Sequence, residues 1–368
     1  MATEQEQLAL LRDQIDDIDQ QIHRLINARA KCAMQVAEVK LHHHTPDQGD
    51  PVFYRPEREA QVLRKVIDRN EGPLEGAVVA RLFREIMSAC LALESPVRVA
   101  FLGPTGTFTE QAALKHFGHS AVCVAMPTID DVFREVEAQA VKYGVVPVEN
   151  STEGVVHHTL DNFRASGLKI SGEVELRIHH NLLVKPGSDL RSITRIYSHQ
   201  QSLAQCRLWL DSHYPSVELI AVSSNAEAAR RVSEEGEGVA AIAGEMAALA
   251  YGLDHGYNNI EDHPENTTRF LIIGHESVGV SQRDKTSIIA GSQHQPGALY
   301  QILEPFYRAG IDLTRIDSRP AKDGAWGYVF YIDFVGHQDD EPIKQVLKEV
   351  GEKSILLKIL GSYPQAVI

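Results

Sequence analysis

The sequence predicts a multidomain protein built from three consecutive parts: an all-α segment over 1–95, a two-lobed α/β segment over 96–276 and a ferredoxin-like α+β unit over 284–368. Three observations carry this. A chain of 368 residues exceeds what one hydrophobic core organises. Its hydropathy rhythm changes at Ser95-Pro96, from helical spacing to short β-branched runs separated by helical patterns. From Lys285 onward the order reads strand, helix, strand, strand, helix, strand, which is a split βαββαβ unit.

In the first part, Leu8, Leu11, Ile15, Ile18, Ile22 and Leu25 alternate threes and fours, and Val36 and Val39 continue the pattern, so a long amphipathic helix with a coiled-coil-like seam is expected over 8–40. After a loop rich in His, Asp, Gly and Pro, helices are expected over 55–69 and 74–94. In the second part, strands are expected at 97–102, 122–125, 144–148, 181–184, 193–198, 239–243 and 270–273, alternating with helices. Repetition of such units with a late return of the chain suggests two lobes around a cleft, where small-molecule sites tend to lie. In the third, strands fall at 286–291, 313–318, 327–335 and 355–363, with helices at 297–309 and 341–350.

Composition narrows the function. With 43% apolar and 23% charged residues the chain reads as globular, and a net charge of −14 excludes a phosphate-backbone binder. The opening Met-Ala-Thr-Glu-Gln-Glu-Gln lacks a signal-peptide pattern and no run of about 18 apolar residues could span a bilayer, so a cytoplasmic protein without membrane or nucleic-acid partners is expected. Cys32, Cys90, Cys123 and Cys206 are far apart and read as small core residues. His42-His43-His44, near Asp47 and Asp50, reads as a solvated loop, since adjacent side chains seldom converge on one metal ion.

Arg29 interrupts the apolar seam, where a cation needs an anionic partner or must reach water. Lys40, eleven residues later, lies about three turns on and on nearly the same face. Arg12 sits roughly 25 Å away along the helix, so one ligand touches all three only if a second subunit supplies Arg12. The pattern Leu11-Arg12, Ile15, Ile18-Asp19, Arg29, Lys40 and Phe53-Tyr54-Arg55-Pro56-Glu57-Arg58-Glu59 resembles the all-helical chorismate mutase family. Its reaction needs conformational restraint and stabilised charge on an ether oxygen, which cations and hydrogen-bond donors supply. The resemblance implies a homodimer in which Arg12 of one subunit joins Arg29 and Arg58 on the substrate carboxylates, Lys40 meets the ether oxygen and Glu59 the hydroxyl. Arg55 stands where some members carry Asp, and Glu94 where some carry Gln, so Glu94 must be protonated to donate and a raised pKa is expected.

In the middle part, Gly103-Pro104-Thr105-Gly106-Thr107-Phe108 lacks the ending of a nucleotide loop. With Val146-Pro147-Val148-Glu149-Asn150-Ser151-Thr152-Glu153-Gly154, Ile196-Tyr197-Ser198-His199, Ser224-Asn225-Ala226-Glu227-Ala228 and Asn266-Thr267-Thr268-Arg269-Phe270, it resembles prephenate dehydratase, which implies a periplasmic-binding-protein-like fold and chemistry without a cofactor. The resemblance assigns Thr268 as donor to the departing hydroxyl, with Asn150, Ser151, Thr152, Ser198 and Gln205 around the substrate and Glu149 orienting them. Arg269 either binds a carboxylate or braces the cleft through an internal ion pair. Gln200 stands where the family often has Pro.

In the last part, Gln295-Pro296-Gly297-Ala298-Leu299 and Asp317-Ser318-Arg319-Pro320 resemble the phenylalanine-binding ACT domain, with Asp317 in place of the usual Glu. The resemblance implies binding of L-phenylalanine by Gly297, Ala298, Leu299, Asp317, Ser318 and Arg319, feedback inhibition, and a dimer or tetramer. Taken together, a bifunctional enzyme converting chorismate through prephenate to phenylpyruvate is expected, the alternatives being a dehydratase with a helical dimerisation arm and a non-catalytic amino-acid-sensing binding protein.

Overall fold

The computed structural model describes residues 3–43, 51–292, 295–321 and 327–368. Helix α1 (Glu4–His42) opens on a capping box in which Thr3 and Glu6 satisfy each other's backbone amides. Helices α2 (Pro56–Asp68), with Pro at its first turn, and α3 (Gly76–Glu94) follow. The seam of α1 forms as its spacing predicts and stays uncovered: Leu8, the least exposed of its first six residues, is 43% accessible and Leu25 69%. Only Ala37 of α1 is buried. Cys32 is therefore exposed, contrary to the core position expected of it, while Cys90 and Cys206 are buried. His44, Asp47 and Asp50 lie outside the described residues.

The first lobe of the middle part holds β1 (Arg98–Leu102), β2 (Val122–Met126), β3 (Tyr143–Asn150), the short β4 (Gly154–Val155) and β5 (Lys169–Arg177), with helices α4 (Phe108–Phe117), α5 (Ile129–Glu137) and α6 (His157–Ala165). The chain then crosses to the second lobe: β6 (Asn181–Val184), β7 (Arg195–His199), helices α7 (Gln200–Gln205) and α8 (Arg207–His213), β8 (Glu218–Val222), α9 (Asn225–Glu234), β9 (Val239–Ala243), α10 (Glu245–Tyr251) and β10 (Asp254–Tyr257). It returns as β11 (Thr267–Gly274), which inserts antiparallel between β3 and β5 and gives the order β2-β1-β3-β11-β5. The second sheet runs β10-β6-β9-β7-β8. Gln200 occupies the first turn of α7, a position where Pro is tolerated but not required, so its replacement leaves the helix start intact.

The final unit is β12 (Asp284–Ser292), α11 (Ala298–Arg308), β13 (Leu313–Pro320), β14 (Tyr328–Val335), α12 (Glu341–Lys353) and β15 (Leu356–Pro364), an antiparallel sheet in the order β13-β14-β12-β15. All nine residues of β12 are buried because the sheet is covered on both sides. Ile288, Ala290, Phe330 and Ile332 pack under α11 and α12. Ile289, Val329, Tyr331, Leu360 and Tyr363 point the other way, into one core with Val146, Leu160, Phe163, Ile170 and Leu271 of the first lobe. Lys358 caps the end of α6 by donating to the carbonyls of Phe163, Arg164 and Ser166, and Lys169 donates to that of Ile359.

Strand β5 is absent from the sequence expectation, and its burial explains why. Its Ser171 and Glu173 are buried under the final unit, so an edge strand buried on both faces carries polar residues where an apolar run would have announced it. At the seam β15 approaches β5 so closely that a Cβ on Gly361 would lie 2.3 Å from the carbonyl oxygen of Ile170. Gly361→Ala is expected to lower the thermal unfolding midpoint by several degrees, the size that about 1–3 kcal/mol of overpacking gives in a domain of this kind. A midpoint equal to the parent's in differential scanning calorimetry would contradict this packing.

Candidate active sites

The two lobes of the middle part enclose a cleft of about 640 Å³. Its floor is the carboxyl end of β3 and the start of β11, where Asn150 faces Thr268 in register. The Asn150 amide nitrogen donates to Thr268 Oγ1 at 2.7 Å, and its carbonyl oxygen accepts from the backbone amides of Thr152 and Glu153 at 2.9 and 3.0 Å. These two amides fix which way the Asn150 side chain points, since only the oxygen can accept both. The Thr268 oxygen is thereby used as an acceptor, and its own proton is free to be donated into the cleft. Thr152 contributes this backbone amide, and its exposed side chain is not part of the cleft lining.

Across the cleft, α7 supplies Gln201 and Gln205, both of which donate to the Glu153 carboxylate and so tie the lobes together. Gln205 Oε1 also accepts from Asn266 at 3.0 Å and lies 2.8 Å from His180 Nε2. That oxygen can only accept, so the proton of His180 sits on Nε2. Burial pushes the His180 pKa down, and its Nδ1 is buried without a partner among the described residues. His180 and Ser202 line the cleft and were not singled out from the sequence, while His199 and Asn225, which also line it, stand in the quoted signatures without an assigned role. A histidine beside an apolar strand carries no local signal of the cleft it will face. Ser151 bonds β3 to β11, its backbone amide donating to the Thr267 carbonyl at 2.9 Å and its hydroxyl accepting from the Thr267 amide at 3.0 Å.

Two expectations at the cleft are corrected and a third is decided. Ser198 is fully buried, its hydroxyl held by the Ile242 carbonyl at 2.7 Å and by Asn225 Oδ1 at 3.0 Å, so it supports Asn225 and does not reach the cleft. Glu149 points to the opposite side of β3 from Asn150 and pairs with Arg315 at 3.3 Å. Arg269 points away from Thr268 and is buried among Glu173, Asp333 and Tyr363, which settles its ambiguity in favour of the internal brace. The physical reason for the last two is the two-residue period of a strand, which sends neighbours to opposite faces.

In the helical part, Arg29 and Lys40 lie near enough to Glu94 for their charges to act on it. Burial raises the Glu94 pKa, and the positive charges of Lys40 and Arg29 pull it back. Lys40 Nζ donates to the carbonyls of Val52 and Phe53 at 3.0 and 3.4 Å. Arg12 is exposed near the start of α1 and Arg58 is exposed on α2. Glu59, expected at a substrate hydroxyl, is instead paired with Arg84 of α3 at 3.2 Å, with burial raising its pKa. A one-residue step along α2 turns it about 100° from Arg58.

In the final unit, Gly297 (φ 80°) caps α11, and Gly297, Ala298, Leu299 and Ser318 line a pocket of about 310 Å³ with Tyr328 and Phe330. Asp317 and Arg319 do not join them. On β13 they alternate with Ser318 and turn to the first lobe, where Arg319 meets Asp161 at 3.4 Å and the His157 carbonyl at 3.1 Å.

Three family models match the chain in order: chorismate mutase type II over 11–95, prephenate dehydratase over 99–278 and the ACT domain over 286–352. A bifunctional chorismate mutase/prephenate dehydratase of Pseudomonas aeruginosa is 58% identical over 366 residues, covering 99% of this chain and 100% of the relative. The chain belongs to the bifunctional chorismate mutase/prephenate dehydratase family. Its counterpart in Aquifex aeolicus is 45% identical over 99% of both chains. A prephenate dehydratase of Arthrobacter aurescens, solved in complex with L-Phe, superposes with a TM-score of 0.68 at 34% identity, covering 73% of this chain and 90% of that one.

This bifunctional enzyme therefore carries its two activities on separate parts of one chain, followed by an ACT regulatory unit. The mutase segment rearranges chorismate to prephenate, and the cleft-bearing segment decarboxylates and dehydrates prephenate to phenylpyruvate. A bare binding protein is not supported by any of these matches.

Proposed function

We propose that Thr268 and Asn150 form the reacting pair of the dehydratase. The observation that carries this is the fixed direction of their hydrogen bond, from amide to hydroxyl, which leaves the Thr268 proton available. Prephenate becomes aromatic when its ring carboxylate leaves as carbon dioxide and the C–C electron pair enters the ring, expelling hydroxide. Hydroxide is a poor leaving group, so stabilising the departing oxygen with a placed donor lowers the barrier. A threonine hydroxyl is a weak acid, and its part is hydrogen bonding to that oxygen rather than full proton transfer. Gln205, Ser151, Asn225 and His180 shape the surroundings.

For the mutase, we infer a site built from Arg29, Lys40, Glu94 and Arg58 of one subunit and Arg12 of a second. The uncovered α1 seam supports an antiparallel homodimer, since apolar stripes of this length are buried by partner helices. L-phenylalanine is assigned to the pocket at the start of α11, where free amides favour its carboxylate and Tyr328 and Phe330 its ring. The complex of the Arthrobacter aurescens relative with L-Phe supports feedback inhibition. A cytoplasmic location fits a biosynthetic role, and no helix among the described residues is long and apolar enough to cross a membrane.

Purified protein given chorismate alone is expected to yield phenylpyruvate, and less of it with millimolar L-phenylalanine. Thr268→Ala should accumulate prephenate instead, losing about 10²–10³ in dehydratase kcat, the usual cost of removing one such donor. Phenylpyruvate formation within a few-fold of the parent would remove Thr268 from this role. Ile18→Asp, placed mid-seam, should give monomers in analytical ultracentrifugation and abolish mutase activity. A dimeric or active variant would defeat the shared site.

Glu94 donates to the ether oxygen only while protonated, and its pKa is raised. Mutase kcat/KM should therefore hold at low pH, fall as pH rises through the Glu94 pKa, and become flat over that range in Glu94→Gln. Parent and variant profiles that coincide would exclude Glu94 as donor.

A further inference from the structure

The backs of the two strands that carry Thr268 and Asn150 are held by the ACT unit. On β3 and β11, Asn150 pairs with Thr268 and Glu149 with Arg269, so the residue beside each member of the reacting pair faces away from the cleft. Arg269 makes three bonds there: Nε to Glu173 at 2.8 Å, Nη1 to Asp333 at 2.6 Å and Nη2 to Tyr363 at 2.9 Å. Asp333 and Tyr363 belong to β14 and β15 of the ACT sheet and are joined through Ser287, at 2.6 and 2.7 Å. Lys285 of β12 grips Glu173 at 2.8 Å, and Arg315 of β13 grips Glu149. Every ACT strand thus contributes a side chain to this network.

Two further observations say what the grip does. The register between β3 and β11 shifts immediately after Arg269, so the ladder is irregular at the residues following Thr268 and holds their orientation less firmly. A buried ion network is also weak support for stability, because well-packed apolar groups of the same volume often serve as well or better. What a guanidinium with three fixed partners supplies is direction.

We propose that Arg269, held by Asp333 and Tyr363 of the ACT unit, is a positioning residue that sets the placement of Thr268 toward the departing hydroxyl. The ACT unit is then part of the dehydratase's working geometry even without effector. This rests on Thr268 and Asn150 being the reacting pair.

The test uses the full-length enzyme, whose mutase activity serves as an internal control. Tyr363→Phe removes one oxygen, and Asp333→Asn one charge. Because a small misplacement near the reacting atoms is costly, Tyr363→Phe should lower dehydratase kcat about 3- to 10-fold and Asp333→Asn more, with KM within about twofold and mutase turnover at the parent value. Arg269→Lys should retain more kcat than Arg269→Met. The proposal is overturned if Tyr363→Phe keeps the parent dehydratase kcat, or if both activities and the melting temperature fall together. Tyr363→Phe carries the decision should Asp333→Asn not fold. Thr268→Ala assayed alongside separates the two ideas: a crippled Thr268→Ala beside a fully active Tyr363→Phe sinks the positioning role alone, whereas an active Thr268→Ala sinks the reacting pair.

Discussion

A guanidinium buried between two sheets has to be fully paired, because an unpaired charge in a dry interior costs several kcal/mol. Arg269 meets that demand only if β5 of the first lobe and β14 and β15 of the ACT unit stand where they do, since Glu173, Asp333 and Tyr363 come from those three strands. The geometry of the cleft follows from the same constraint. Thr268 lies one residue before Arg269, and Asn150 faces it across the ladder. The cleft floor and the contact with the ACT sheet thus lie on opposite faces of one pair of strands.

Much of this layout is legible in the residues. The seam of α1, the change of rhythm at Ser95-Pro96 and the βαββαβ order of the last unit are periodicities, and periodicity reports which face of an element is buried. The polar clusters at Glu149-Asn150-Ser151 and Thr267-Thr268-Arg269 fall on strand ends that do converge. What the residues do not reveal is which side of a strand faces which neighbour. Asp317 and Arg319 were expected at a ligand, Glu149 was expected to orient the cleft residues and Arg269 was left open between a carboxylate and a brace, and each turns toward the contact between the first lobe and the ACT unit. Strand β5 was missed for a related reason, because Glu173 looks like a surface residue until Arg269 and Lys285 are seen around it.

The helical part is less self-sufficient. The charges of Arg29 and Lys40 act on Glu94, whereas the seam from Leu8 to Leu25 has no covering element among the described residues. Lys40 reaches the carbonyls of Val52 and Phe53, next to Tyr54, whose hydroxyl lies 3.0 Å from His116 Nε2 in α4. Burial pushes the His116 pKa down to about 3, so this contact stays uncharged at neutral pH. The segment leading into α2 is in this way fastened to the dehydratase lobe.

The central claim, that the ACT sheet acts on the dehydratase through the strand bearing Thr268, is tested most directly by a double-mutant cycle on dehydratase kcat between Thr268→Val and Tyr363→Phe. Residues that act through one another show non-additive effects. The account predicts that Tyr363→Phe, costly in the parent, has no further effect once Thr268 is Val. An equal loss from Tyr363→Phe in both backgrounds would contradict it.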